Sequence, residues 1–131
     1  MPHVTFTLLV ADYDRSLRFY RDLMGFRVLF DMDLGNGHRH IQMVYPGFDD
    51  VRVVLVRPHS EIQRAALGRQ SGDAAWIVVP VKNCAELRGR LAERGVDFAG
   101  ELIELPYGIQ AKAIDPDGNR VCLFQDFSDQ V

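Results

Sequence analysis

Cysteine is scarce in this chain, with two residues in 131, Cys84 and Cys122. Two thiols cannot knit a disulfide framework, so the fold has to rest on a hydrophobic core, and a reducing compartment is expected. Long apolar runs are missing as well, since no stretch approaches the ~20 residues that span a bilayer. Met1-Pro2-His3 lacks the charged-then-apolar pattern of a secretory leader, and a cytoplasmic location is therefore expected. Nor is there a basic surplus. The 15 Lys and Arg are scattered and outnumbered by 18 Asp and Glu, which leaves no footprint for nucleic acid. No Gly-rich loop has the spacing of a phosphate cradle. The serines fall at a helix start, in loops and in the tail, where no Ser-His-Asp arrangement can be assembled.

Hydrophobic pattern, by contrast, is plentiful: 47% of residues are hydrophobic, enough for one compact core or for two half-domains sharing one. Residues 4–10 alternate as a strand, with Thr5 and Thr7 on one face and Phe6, Leu8 and Val10 on the other. Asp12 or Asp14 can cap a helix whose stripe is Leu17, Phe19, Tyr20, Leu23 and Met24, and Gly25 is placed to end it. Strands are predicted at 26–33, at 39–45 after the turn Gly35-Asn36-Gly37, and at 51–57. A connector over 59–74 carries a short helix at 61–67. Then the pattern restarts, with a strand at 76–81, Asn83 as N-cap, a helix at 85–94 stopped by Gly95, and strands at 96–105, 109–114 and 120–127.

The chain thus contains an internal repeat, βαβββ followed by βαβββ. Val10 and Asp12 recur as Val81 and Asn83, and Leu17 and Gly25 recur as Leu87 and Gly95. The last hairpin turns at Asp115-Pro116-Asp117-Gly118-Asn119, where Pro fixes the entry and Gly tolerates the positive φ of a tight turn. Val121 and Leu123 leave that turn on one face, and Arg120, Cys122 and Phe124 on the other.

Two such modules, the stretch from Val10-Ala11-Asp12-Tyr13 to Leu23-Met24-Gly25-Phe26, and the Asp-Pro-Asp-Gly-Asn turn together resemble the vicinal oxygen chelate superfamily. That group holds glyoxalase I, the bleomycin-resistance proteins and the extradiol dioxygenases. The resemblance covers nearly the whole chain and implies an α+β fold over 1–131 as a single domain. In it, two βαβββ modules (1–58 and 75–131, joined by 59–74) form curled half-barrel sheets with helices outside. It also implies a cavity between paired modules and, in many members, a homodimer.

Family enzymes set a divalent metal on the cavity face of four strands with His, Gln or Glu. Carried over residue by residue, those positions fall on Thr5, Val54, Trp76 and Cys122. None is a histidine or carboxylate, so no metal and no cofactor is expected, with a divalent metal kept as the alternative. His38 and His40 face the same way on a strand and are a feasible ligand pair, whereas His59 has no evident partner. Cys122, in a strand interior, reads as a small hydrophobe rather than a nucleophile. Gly108 reads as a loop hinge.

Strand parity suggests what lines the cavity. Trp76, Phe124 and Tyr107 offer flat apolar surfaces, while Arg52, His40, Gln42 and Lys112 offer polar points beside Thr5, Thr7, Val54 and Cys122. Aromatic walls with a few donors suit a planar molecule carrying a carbonyl, phenolate or carboxylate. The expected function is metal-independent binding of such a molecule, most like the drug-sequestering bleomycin-resistance type. The alternative is a glyoxalase-like lyase or isomerase, or an extradiol-type dioxygenase, with non-standard ligands.

Overall fold

In the computed structural model, which describes residues 2–130, strand β1 (Val4–Leu9) leads into helix α1 (Tyr13–Leu17). Of the two candidate caps, Asp12 is the one used: its extended backbone frees Oδ1 to accept the Arg15 N–H at 3.0 Å. The helix does not stay regular to its end. Residues Arg18–Leu23 form a π-helical turn, in which the Met24 N–H donates to the Phe19 carbonyl at 2.9 Å. The wider turn buries both neighbours Phe19 and Tyr20, and Tyr20 meets Phe19 and Phe26 edge-on at 4.8 and 5.5 Å. Gly25, at φ 85°, lets the chain turn back so that the Phe26 N–H reaches the Tyr20 carbonyl at 2.8 Å.

Strands β2 (Arg27–Gly35), β3 (His38–Val44) and β4 (Val51–Val56) complete a four-stranded sheet of order β1-β4-β3-β2. β1 runs parallel to β4, and the other pairs are antiparallel. Leu8, Ile41, Met43, Val53 and Leu55 are buried on one face, and Leu17 and Tyr20 join the same core. Phe6 departs from its predicted place in that covered face: it is 54% exposed, on an edge strand flanked only by β4. The outer edge of β1 is met by Gln70, beyond the Ser60-capped helix α2 (Glu61–Ala66). Its side-chain Oε1 accepts from the Leu9 N–H, and its Nε2 donates to the Thr7 carbonyl.

The chain divides into two compact units between Gln70 and Ser71. The second repeats the topology of the first: β5 (Ala75–Pro80), α3 (Cys84–Glu93), β6 (Asp97–Phe98), β7 (Ile103–Leu105), β8 (Gly108–Ile114) and β9 (Arg120–Asp126). Its sheet has the order β5-β9-β8-β6, with β7 also on β8 and β5 parallel to β9. Asn83 caps α3, accepting the Glu86 N–H at 3.1 Å. Val79, Ala111, Ala113, Val121 and Leu123 form its core with Leu91 of α3.

Two predictions fail here for local reasons. The single strand expected over 96–105 is broken into β6 and β7 by Gly100 at φ 77°, whose carbonyl accepts from Arg88 at 3.2 Å while the guanidinium lies over Phe98. The hinge expected at Gly108 is instead the buried first residue of β8, closely packed against β9.

The last hairpin is held by a buried carboxylate. Asp115 Oδ1 accepts the N–H groups of Asp117, Gly118 and Asn119 at 3.0, 2.9 and 2.8 Å, and Oδ2 accepts from Asn119 Nδ2 at 3.1 Å. An Asx turn of this kind satisfies the backbone that Pro116 and Gly118 bend. Among the described residues, no helix is long and apolar enough to cross a membrane.

Candidate functional site

The first sheet sets, by register, the face opposite its buried apolar side. Thr5 lies opposite Arg52, Thr7 opposite Val54, Val54 opposite Gln42, and Gln42 opposite Phe30, with His40 opposite Met32. Cross-strand partners share a face, so the six residues predicted from this module, Thr5, Thr7, His40, Gln42, Arg52 and Val54, all lie on one side. A recess of about 530 Å³ opens there, lined by Leu29, Phe30, His40, Gln42 and Arg52. Sequence reasoning missed Leu29 and Phe30. Phe30 could have been found from its alternation with Met32, but the bulge between Val28 and Phe30, which holds Leu29 and puts Phe30 on the face opposite Val28, has no signal in the residue pattern.

A directed hydrogen-bond chain crosses the recess. Arg52 Nη1 donates to Gln42 Oε1 at 3.0 Å, and Gln42 Nε2 stands 3.0 Å from His40 Nε2. A guanidinium can only donate, so the amide oxygen must face it; the amide nitrogen can only donate, so His40 Nε2 must accept. The His40 ring also meets Phe30 edge-on at 5.5 Å.

The two histidines named as a feasible ligand pair, His38 and His40, have different neighbours. His40 is committed to Gln42 and Phe30, while the His38 ring lies 5.7 Å from that of His59, which supplies the partner the sequence did not suggest. On the opposite face Arg39 bridges Asp14 and Asp31 at 2.8 and 2.7 Å, tying the start of α1 to β2. Hydrogen bonds from Arg39 hold the Asp31 carboxyl below the usual range, and Asp31 and Asp14 in turn push Arg39 further up.

In the second unit Cys122 faces Val78 on one side and Lys112 on the other, and Phe124 faces Pro80 and Gln110. Trp76 falls at a register shift between Ala75 and Ile77, so it is Val78, two residues on, that stands beside Cys122. Tyr107, in the turn before β8, is 63% exposed with its ring 6.0 Å from Phe124. Burial pushes the Cys122 thiol up, against an opposing pull from Lys112. Cys84 is raised by burial too, and its thiol donates to the Leu123 carbonyl at 3.3 Å. Raised thiols are protonated at neutral pH, and neither is an activated nucleophile.

The donor chemistry does not fit a resident metal. Val54 has no lone pair and Trp76 only a ring N–H, while Thr5 and a protonated Cys122 are poor ligands. A one-pair shift from Val54 along β4 brings Arg52, whose guanidinium cannot coordinate a cation. No group of three or more His, Cys, Asp or Glu among the described residues could hold an ion.

The family model for the Glyoxalase/Bleomycin resistance protein/Dioxygenase superfamily matches residues 1–123. The chain belongs to this superfamily. UcmS2 is similar in structure at 26% identity and TM-score 0.79, the match covering 96% of this chain and 98% of that one. TnmS3, an antibiotic binding protein from Streptomyces sp. CB03234, is similar at 29% identity and TM-score 0.72, covering 96% and 97%. A superfamily member from Sphaerobacter thermophilus DSM 20745 matches at 27% identity and TM-score 0.75, covering 96% and 98%. No curated protein sequence matches the chain.

Proposed function

We propose that this superfamily member binds a small, planar organic molecule on the face of its first sheet opposite the buried apolar side, without a metal, in the drug-sequestering manner of bleomycin-resistance proteins. The observation that carries this reading is the recess beside Phe30, His40, Gln42 and Arg52. Its volume lies within the ~300–1,000 Å³ usual for small-molecule sites. Apolar and aromatic walls with a few fixed polar groups are the composition such sites share. The similarity to an antibiotic binding protein over nearly the full length of both chains supports the same reading. The glyoxalase-like or dioxygenase alternative needs metal donors that Thr5, Val54, Trp76 and Cys122 do not supply.

A cytoplasmic homodimer completes the proposal, supported by the apolar side chains of Val4 and Phe6 left open on an edge strand. Titration of isotope-labelled protein with a panel of fused-ring aromatics tests the binding site. Amide shift changes should cluster on β2, β3 and β4, and a ligand that binds elsewhere, or stoichiometric metal in purified active protein, sinks the reading. Sedimentation equilibrium decides the dimer.

A further inference from the structure

Three arginines of the first unit are held by carboxylates. Arg39 is bridged by Asp14 and Asp31, Arg21 by Asp22 at 2.8 Å, and Arg27 by Asp49 at 3.2 Å. Arg52 has no carboxylate within ion-pair distance among the described residues. Its hydrogen bond goes to a neutral amide, and its Nε is buried with no partner. The chain that continues from Gln42 ends on an imidazole, so nothing along it supplies negative charge. A half-buried cation facing a recess walled by Leu29 and Phe30 is costly unless negative charge compensates it, and no carboxylate among the described residues does.

From this we infer that the recess selects the anionic form of an aromatic acid, its ring against Phe30 and Leu29 and its negatively charged oxygen on Arg52. This rests on the binding reading above and narrows it from planar molecules in general to planar anions. Gln42 and His40 are positioning residues. By occupying Nη1 in a fixed direction they hold the guanidinium over the recess, and because neither carries negative charge they leave its charge for the ligand. The remaining guanidinium donors suit carboxylate or phenolate oxygen and offer nothing to a cationic ligand.

The test compares 2-naphthoate with its uncharged near-isostere 2-naphthamide by calorimetry, on the intact chain. A hydrogen bond to a charged group contributes about 1.5–3 kcal/mol, so naphthoate should bind about 10- to 150-fold more tightly. Arg52→Gln should abolish that preference, lowering naphthoate affinity far more than naphthamide affinity, and an unchanged far-ultraviolet circular dichroism spectrum shows that the variant is folded. Arg52→Lys should keep part of the preference, and added salt should weaken naphthoate alone. Equal binding of the two ligands by the unaltered protein overturns the inference and leaves the binding site standing. A preference that survives Arg52→Gln overturns it as well, by placing the reading charge elsewhere. If neither ligand binds, both the inference and the reading beneath it fall. 4-Nitrophenolate, run beside naphthoate, distinguishes a phenolate from a carboxylate as the preferred anion.

Discussion

Replacing Asp115 with alanine should be among the most damaging single changes in this protein. The side chain is 4% exposed and accepts four hydrogen bonds, three of them from consecutive backbone N–H groups of the β8–β9 turn. Each hydrogen bond to a carboxylate contributes about 1.5–3 kcal/mol, but three share one oxygen and cannot simply add. Alanine also strands the Asn119 N–H in a buried setting. Loss of about 3–5 kcal/mol is expected, the range found when a buried polar network loses a member. Asp115→Asn keeps one acceptor oxygen but turns an NH₂ toward the Asn119 amide nitrogen, and should cost only about 1–2 kcal/mol. Urea unfolding followed by circular dichroism reads both. With a slope near 2 kcal/mol per molar, the alanine midpoint should fall by roughly 2 M at constant slope. An alanine variant within about 1 kcal/mol of the unaltered protein, or one no worse than asparagine, would refute the claim that this carboxylate organises the turn.

Gly108→Ala places a Cβ 2.5 Å from the Gln125 carbonyl oxygen and 2.5 Å from Phe124 Cζ. The backbone oxygen cannot swing away as a side chain would, so a loss of at least about 1–3 kcal/mol is expected in thermal unfolding. Cys84 and Cys122 should react with iodoacetamide at pH 8 far more slowly in the folded protein than in urea, and comparable rates would contradict their burial. Asp31, held below its ordinary 3.8 by Arg39, contributes stability that is complete above about pH 4 and lost as pH falls through its lower folded value. Asp31→Asn should therefore flatten the stability curve below about pH 4. The effect should stay under about 1 kcal/mol because the pair is partly exposed, and an equal change in slope near pH 7 would assign it to another group.

The repeat was legible because each module announces itself with a cap, a buried stripe and a stop. Asp12 and Asn83 cap, and Gly25 and Gly95 reverse the chain at φ 85° and 91°; Leu17 is buried, but its predicted counterpart Leu87 is only half-buried and Leu91, one turn on, takes the core place. Alternation was enough to put Thr5, Thr7, His40, Gln42, Arg52 and Val54 on a single face, since strict period two needs no knowledge of neighbours. What escaped were the places where one residue is added to or removed from that count. The π-helical turn after Leu17, the bulges at Leu29 and Trp76, and the break at Gly100 are settled by packing and by partners distant in sequence. The same holds for hydrogen-bond direction: Arg52, Gln42 and His40 could be grouped from the sequence, but only their distances fix which atom gives and which receives.

Gln70 carries a consequence of its own. A primary amide has the same donor and acceptor as a peptide link, and by answering Leu9 and Thr7 together this side chain counterfeits one residue of a neighbouring strand. Any extended segment that sought to lengthen the sheet past β1 would first have to evict it, so growth of the sheet in that direction is blocked by a single replaceable side chain.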